Sequence, residues 1–425
     1  MEMIQRGILA GVNINKQAQF EYSMEELENL AKACEVTVVG RITQNLQQVN
    51  QTTYIGKGKL DEIGDMLEST DAQLVIFNDE LSPSQIRNIE AYLQCKVIDR
   101  TMLILDIFSE RAKTREAQLQ VEVAALQYML PRLIGLRESL GRQVGGVGTK
   151  NRGVGEKKLE LDRRRIEDRI TLLRRELKDL TAHRKTQRKQ RLKSGMPAVA
   201  LVGYTNAGKS TLMNAMLTRY GGMEEKQVLE KDMLFATLET AVRKISLPGN
   251  REFLLTDTVG FVDKLPHHLV KAFRSTLEEV READLLIHVV DYANADYFEQ
   301  IRVTEKTLED IGVTEIPTIY AYNKRDAVNA DRHQPVKQNA VFISARYGDG
   351  LEELMDLVVK ELFDDYITCE MLIPYNKGAV VSHLNEKAEV LHLSHEGEGV
   401  RMKLICTGKD AEKFKEYRVD HEDEE

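Results

Sequence analysis

The chain has 425 residues, of which 42% are hydrophobic and 30% are charged, and its formal net charge is −9. This composition excludes a disordered or fibrous chain, and the length predicts about two to four domains. No stretch approaches the roughly 18 apolar residues of a transmembrane helix, and the N-terminal residues lack the apolar segment of a secretory signal. Four widely spaced cysteines (Cys34, Cys95, Cys369 and Cys406) indicate reduced thiols and no structural zinc site. We therefore expect a cytoplasmic protein that does not associate with membranes.

Residues 1–111 are predicted to form an N-terminal α/β domain with a mostly parallel sheet. The segments CEVTVVG, AQLVIFND and CKVIDR predict strands because β-branched residues dominate them, and KLDEIGDMLES and SPSQIRNIEAYLQ predict helices. Ser82 is the expected N-cap of the second helix, with Pro83 at its first helical position. Strands that alternate with helices are typical of such a domain.

Residues 112–195 have a different pattern, in which apolar residues recur every three or four positions in two stretches. These stretches are 119–133 and 159–180, and the glycine-rich segment GRQVGGVGTKNRGVGE lies between them. Two helices of matched period joined by a loop predict an antiparallel hairpin. Pro131 is expected to kink the first helix near its end.

Basic residues are concentrated in this hairpin. Residues 141–193 hold 18 lysines and arginines against 7 acidic residues, so the rest of the chain has a net charge of −20. A basic block on an acidic chain indicates a local binding site for a polyanion. The alternative is a solvated, charged helix face.

A glycine-rich motif follows the strand AVALVG. Gly203–Ser210, with the sequence GYTNAGKS, matches the phosphate-binding loop G-x-x-x-x-G-K-[ST], in which consecutive backbone N–H groups surround phosphate oxygens. Lys209 is expected to reach the β- and γ-phosphates, and the Ser210 hydroxyl is expected to bind Mg²⁺. Taken alone, this motif leaves ATP, GTP and coincidence open.

The motifs that follow favour GTP. Asp257–Gly260 (DTVG) ends a strand, where a carboxylate can hold the Mg²⁺ shell and a glycine amide can sense the γ-phosphate. Asn323–Asp326 (NKRD) lies at the end of another strand. Its aspartate can accept hydrogen bonds from both the N1–H and the amino group of guanine, two donors that adenine does not offer together. Ser344–Ala345 can support base recognition, and Thr237 is the expected switch threonine that closes on Mg²⁺.

The sequence therefore predicts an α/β fold in which a P-loop GTPase domain with a mostly parallel sheet occupies residues 196–366. The α/β domain and its hairpin precede this domain, and a small α/β subdomain at 367–425 follows it. The segment KISLPGNREFLLT predicts one antiparallel strand beside the parallel sheet. The predicted catalytic residues are Lys209, Thr237 and Gly260. The predicted Mg²⁺ ligands are Ser210 and Thr237, with Asp257 acting through water. The predicted GTP-binding residues are Gly203, Tyr204, Thr205, Asn206, Ala207, Gly208, Lys209, Ser210, Thr211, Phe235, Ala236, Thr237, Leu238, Glu239, Asp257, Thr258, Val259, Gly260, Asn323, Lys324, Arg325, Asp326, Ser344, Ala345 and Arg346.

One residue bears on the rate of hydrolysis. Phe261 follows the DTVG motif, at the position where many GTPases place a glutamine that orients the attacking water. Phenylalanine cannot make that hydrogen bond. We therefore expect slow intrinsic hydrolysis that a partner accelerates.

The chain resembles the HflX family of bacterial ribosome-associated GTPases over roughly residues 1–365. The resemblance rests on the GTPase motifs and on seven further stretches: YIGKGK (54–59), QVEVA (120–124), YMLPRL (128–133), GGVGT (145–149), LELDRR (159–164), FATL (235–238) and LPHHLVKAF (265–273).

This resemblance implies a cytoplasmic GTPase that binds GTP or GDP and the large ribosomal subunit. We expect the free protein to be monomeric. The resemblance also implies that the hairpin loop contacts ribosomal RNA near the peptidyl transferase centre, and that the GTP-bound form splits stalled or idle ribosomes. A glycine-rich backbone beside basic side chains suits close packing on RNA phosphates. The expected RNA contacts are Gly145, Gly146, Gly148, Lys150, Arg152, Lys157 and Lys158.

The loop departs from the family pattern. The usual Gly-Pro-Gly-Glu-Thr is replaced by Gly153–Lys157 (GVGEK), and Asn151–Arg152 look inserted. Two interpretations stay open: drift in the loop, or a variant that displaces antibiotics at the catalytic centre. The segment at 54–59 is interpreted as a turn that leads into a helix, with a second nucleotide loop as the alternative.

A different class of function also stays open. The protein could be a GTP-dependent scaffold or a membrane-associated signalling switch, with the hairpin as a protein-binding coiled coil. RNA binding should weaken steeply with salt, whereas an apolar coiled-coil seam should be far less sensitive.

Overall fold

A computed structural model of the protein describes residues 5–17, 19–143, 160–180, 196–221, 235, 240–264, 279–328 and 337–419, with the backbone alone for 133–143. The chain divides into two units. The first comprises Met1–Gln190, Lys231–Glu239 and Val259–Leu277, and the remainder forms the second. The four-part division expected from the sequence stays a prediction.

The first unit contains a four-stranded parallel sheet in the order β2-β1-β3-β4. Its strands are β1 (Arg6–Ile14), β2 (Thr37–Leu46), β3 (Leu74–Phe77) and β4 (Lys96–Asp99). Its helices are α1 (Phe20–Ala33), α2 (Lys57–Thr70), α3 (Pro83–Leu93) and α4 (Arg100–Arg111). The sheet has a separate apolar core on each face, which explains why strands such as LVIF are apolar throughout.

The start of α3 confirms the predicted cap. The Ser82 side chain accepts a hydrogen bond from the backbone N–H of Gln85 at 3.2 Å, and the Gln85 side chain accepts one from the N–H of Ser82 at 2.9 Å. Pro83 occupies the first turn, where its missing N–H has no intrahelical partner to lose.

A hairpin follows this domain. It pairs α5 (Arg115–Gln143) with the helix over 160–180, here α6. The Arg115 guanidinium is 2.9 Å from Glu176, and Arg169 is 2.8 Å from Glu122, so the beginning of one helix lies beside the end of the other. Leucine and valine side chains pack between the two helices. The antiparallel arrangement is confirmed over the described residues, and α5 continues through Pro131.

The second unit contains a six-stranded sheet in the order β10-β9-β8-β5-β7-β6. Its strands are β5 (Ala198–Val202), β6 (Ala241–Leu247), β7 (Arg251–Asp257), β8 (Leu285–Asp291), β9 (Thr318–Asn323) and β10 (Ala340–Phe342). The helices α7 (Lys209–Tyr220), α8 (Tyr297–Asp310) and α9 (Leu351–Leu362) belong to the same unit. β6 is antiparallel to β7 and the other pairs are parallel, as predicted.

A three-stranded antiparallel sheet ends the described chain, in the order β11-β13-β12. The strands are β11 (Tyr366–Ile373), β12 (Glu389–His395) and β13 (Val400–Thr407). Two short helices, α10 (Gly378–Lys387) and α11 (Gly408–Lys413), contribute to the apolar core on one face of this sheet. Among the helices that the structure describes, none is long and apolar enough to cross a membrane.

Candidate nucleotide-binding site

The glycine-rich loop connects β5 to α7, as the motif predicts. Gly203 and Gly208 have φ angles of +145° and +92°, a region that residues with a Cβ atom rarely adopt. A Cβ on Gly203 would collide with the backbone oxygen of Val289, and a Cβ on Gly208 would collide with the side-chain amide of Asn323. Both glycines are therefore required by backbone conformation and by space.

Lys209 lies at the start of α7, and its side chain is buried in the loop. Its Nζ donates hydrogen bonds to the backbone oxygens of Gly203 at 3.1 Å and Tyr204 at 2.8 Å. Burial lowers the pKa of Lys209 from 10.5 to about 8, and the Asp257 carboxylate opposes that shift in part. The loop thus holds a cation with few neighbouring anions, which favours an incoming phosphate.

Ser210 and Asp257 come together from the start of α7 and the end of β7. The Ser210 Oγ donates a hydrogen bond to Asp257 Oδ2 at 2.6 Å, and Asp257 is fully buried. The next residue, Thr258, donates from Oγ1 to the backbone oxygen of Leu201 at 2.6 Å and so fixes the end of the strand. A hydroxyl beside a carboxylate provides two oxygen ligands of the kind that Mg²⁺ prefers.

Asn323 links the loop after β9 to two other segments. Its Nδ2 donates to the backbone oxygen of Ala207 at 2.9 Å, and its Oδ1 accepts from the backbone N–H of Ala345 at 2.9 Å. The Ser344 hydroxyl donates to Asp326 Oδ1 at 2.6 Å. One side chain therefore connects the glycine-rich loop with the two predicted base-recognition loops.

An ion pair at the end of β8 was not predicted. Lys324 has a φ of +63°, and its Nζ lies 2.7 Å from Asp291 Oδ2. Asp291 is the last residue of β8, so its position at the carboxyl end of a parallel strand was a usable signal. The pair holds the Lys324 side chain across two neighbouring strand ends.

The residues after the DTVG motif belong to the first unit. Phe261 and Val262 are 2% and 1% exposed. The Arg100 guanidinium donates to the backbone oxygen of Asp263 at 3.1 Å, and Lys264 Nζ is 2.6 Å from Asp79 Oδ1. Side chains at the carboxyl ends of β3 and β4 therefore hold the segment that follows Gly260.

Phe235 also packs within the first unit. Its ring meets the ring of Phe108 on α4 edge to face, with centroids 4.6 Å apart, and its side chain is 2% exposed. Sequence reasoning placed Phe235 among the nucleotide-binding residues, whereas its described contacts lie in the apolar core between the sheet and α4.

The other predicted residues lie at the same strand ends. Thr205, Asn206 and Thr211 lie in the loop and in α7, while Arg325 and Arg346 follow β9 and β10. The Arg325 guanidinium donates a hydrogen bond to the backbone oxygen of Phe342 at 3.3 Å. Val259 and Gly260 lie in the first unit. The following predicted residues lie outside the described chain: Ala236, Thr237, Leu238, Glu239, Gly145, Gly146, Gly148, Lys150, Arg152, Lys157 and Lys158.

The glycine-rich loop, the carboxyl-end motifs and the mostly parallel sheet define a P-loop GTPase. Three family models match in succession: the GTP-binding GTPase N-terminal region at 21–109, its middle region at 111–191 and the 50S ribosome-binding GTPase at 198–324.

Relatives identify the particular family. GTPase HflX of Caldanaerobacter subterraneus subsp. tengcongensis is 45% identical over 416 residues, 98% of this chain and 94% of that protein. GTPase HflX of Escherichia coli K12 is 38% identical over 383 residues, 89% and 88% of the two chains. The chain belongs to the HflX family of GTPases, enzymes that hydrolyse GTP.

One similar solved structure is that of a GTP-binding protein from the archaeon Sulfolobus solfataricus in complex with GDP. It is 24% identical, with a TM-score of 0.45, and the match covers 85% of this chain and 99% of that one.

Proposed function

We propose that this GTPase binds the large ribosomal subunit near the peptidyl transferase centre and that its GTP-bound form splits stalled or idle ribosomes. The observation that supports this most directly is the match of residues 198–324 to the 50S ribosome-binding GTPase model. The chain acts in the cytoplasm and is monomeric when free.

At the nucleotide, each residue has a distinct role. Lys209 stabilises the charge of the β- and γ-phosphates, and the backbone amide of Gly260 contacts the γ-phosphate. Asp326 selects guanine through its carboxylate, which the Ser344 hydroxyl orients. Ser210 and Thr237 would bind Mg²⁺, with Asp257 acting through water, and the ion would neutralise charge on the phosphates.

Hydrolysis by the free enzyme is slow and the large subunit accelerates it. Phe261 is buried and offers no hydrogen bond to a water molecule. The group that orients the attacking water must therefore come from elsewhere, and binding to the ribosome supplies or positions it.

The hairpin binds ribosomal RNA. Residues 141–193 combine 18 basic side chains with a glycine-rich loop, so phosphate contacts provide affinity without base specificity. The expected contacts are the loop glycines and the basic residues from Lys150 to Lys158. The alternative to RNA binding is that the hairpin binds a protein partner as an apolar coiled coil.

Two assays on the full chain test this function. GTP turnover is measured alone and with purified large subunits, and splitting of 70S ribosomes is followed by light scattering. We expect the subunit to raise turnover at least tenfold, and splitting to require GTP or its non-hydrolysable analogue. Asp326→Asn is the matched control, because it should split ribosomes with xanthosine triphosphate and not with GTP. Equal turnover with and without subunits would contradict the proposal.

We propose a second function for the loop. Asn151–Arg152 look inserted relative to the family pattern. An insertion that lengthens the loop would bring it closer to drugs bound at the peptidyl transferase centre. Removing these two residues should spare splitting and abolish protection of a susceptible host against lincosamides or macrolides. If the intact protein gives no protection, this second function is wrong.

A further inference from the structure

Two cysteines are neighbours in the C-terminal sheet. Cys369 on β11 pairs with Leu404, and Cys406 on β13 pairs with Ile367, so the cysteines are diagonal partners on the same face. Their sulfur atoms are 3.7 Å apart. Both side chains are buried, with 6% and 1% exposure. The distance is that of a thiol–thiol contact, and a bond requires the sulfurs to approach by about 1.7 Å.

The surroundings make the two thiols unequal. The Cys406 thiol hydrogen-bonds to Cys369, and the Arg418 cation lies nearby, which together lower the pKa of Cys369 to about 7. The pKa of Cys406 is raised, because its S–H donates a hydrogen bond to Cys369, burial disfavours its thiolate, and Cys369 and Asp410 add negative charge. Cys369 is therefore the better nucleophile, since the thiolate is the reactive form.

We propose that Cys369 and Cys406 form a redox modification site, at which a hydroperoxide converts the two thiols into a disulfide. The Cys369 thiolate attacks the peroxide oxygen, the O–O bond breaks, and a sulfenic acid and water form once a proton is taken up. The Cys406 sulfur then attacks the sulfenyl sulfur, the S–O bond breaks, and a second water leaves. Two thiols and one hydrogen peroxide give one disulfide and two waters.

The register predicts that this bond is readily reduced. Diagonal partners across an antiparallel pair lie about 7–8 Å apart, whereas the Cα atoms of a disulfide usually lie about 4.4–6.8 Å apart. β11 and β13 must therefore shift to close the bond, and strained disulfides have more oxidising potentials. The modification thus tethers β11, the strand that follows α9, to β13 in a reversible way.

The remaining cysteines provide an internal comparison. Cys34 donates a weak hydrogen bond to the backbone oxygen of Leu103 at 3.6 Å, and burial raises its pKa to about 12. Burial also raises the pKa of Cys95 to about 11. Both thiols lie in the first unit and should react more slowly than Cys369.

The full-length protein is treated with hydrogen peroxide, then unfolded, alkylated and weighed by intact-mass spectrometry, with peptide mapping under non-reducing conditions. We expect loss of two hydrogens, two fewer alkylations and a peptide that links Cys369 to Cys406. Dithiothreitol should restore all four alkylations. Cys34→Ser/Cys95→Ser should behave like the natural chain, and the same protein with Cys369→Ser added should form no internal link.

Three results would overturn the proposal. These are four intact thiols after treatment, oxidation of Cys369 to the sulfinic acid without a link, and a link that includes Cys34 or Cys95 instead. Each can be read on the natural chain, so the test does not depend on any variant that folds poorly.

Discussion

Nucleotide binding should be coupled to proton uptake at alkaline pH, because of the burial of Lys209. Its ammonium is surrounded by the glycine-rich loop and contacts two backbone oxygens, and burial lowers its pKa to about 8. A bound phosphate would sit against this group and stabilise the charged form. The pKa of Lys209 should therefore rise again when GDP binds, and the protein must take up a proton wherever the free enzyme has lost one.

The size of the expected proton uptake follows from the shift in the pKa of Lys209. A fall in the pKa of Lys209 from 10.5 to about 8 means that folding destabilises its charged form by about 3 kcal/mol. This cost is fully present below about pH 8, where the folded and unfolded chains are both protonated. Between about pH 8 and 10.5 the unfolded chain binds more protons, so the nucleotide-free protein gains stability as the pH rises. At about pH 9 roughly nine-tenths of Lys209 is neutral, against one-tenth at about pH 7.

Calorimetry measures this coupling directly. GDP with Mg²⁺ is titrated at about pH 7 and about pH 9 in buffers of different ionisation enthalpy, and the slope of the observed enthalpy gives the number of protons bound. We expect uptake close to zero at the lower pH and close to one proton at the higher. Lys209→Arg keeps its charge at both values and should show no uptake. Equal proton numbers at the two pH values in the natural chain would refute the reasoning.

Three further changes test other parts of the molecule. Asp326→Asn should weaken GTP binding and admit xanthosine triphosphate in competition assays; an unchanged preference for GTP would remove Asp326 from base reading. Arg100→Ala removes the cation beside the buried Glu26 carboxylate and should lower local stability by about 3–5 kcal/mol. Hydrogen exchange in β3 and β4 measures this loss. A loss below about 1 kcal/mol would show that the ion pair is not needed for stability. Deleting Gly145–Arg152 should leave GTP affinity unchanged and reduce ribosome-dependent turnover; a fall in affinity would contradict that separation.

Local patterns were sufficient for much of the fold. The P-loop motif located the turn between β5 and α7, and the segment KISLPGNREFLLT located the antiparallel pair β6–β7. The three- and four-residue spacing of apolar side chains identified the hairpin. These features depend on residues that are close in the sequence, so a periodicity or a turn motif is enough to detect them.

The strand β1, one of the two interior strands of the first sheet, was not predicted. β1 contains two glycines, which weaken a strand signal. In the structure a Cβ on Gly7 would lie 2.9 Å from the side chains of Leu74 and Val36, and one on Gly11 would lie 2.5 Å from the Met24 sulfur. The glycines are required by packing from neighbouring elements, which the local sequence does not reveal.

Long-range polar contacts within each unit also had no local signal. Arg100 and Asp263 are 163 residues apart in the chain, and Asp291 and Lys324 are 33 apart. Motifs identified Lys324 as a residue expected to touch the nucleotide, but its partner Asp291 comes from another strand. Only the position of Asp291 at a strand end offered a usable clue.

The most direct test of ribosome-associated GTPase function is cosedimentation of the full-length protein with purified large ribosomal subunits. The protein is incubated with a non-hydrolysable GTP analogue or with GDP, at several salt concentrations. We expect the analogue to increase binding at least tenfold over GDP, and the affinity to fall steeply as salt rises, because the basic hairpin contacts RNA phosphates. Binding that is equal in the two nucleotides, or that is absent in both while the protein still binds GTP, would contradict this account.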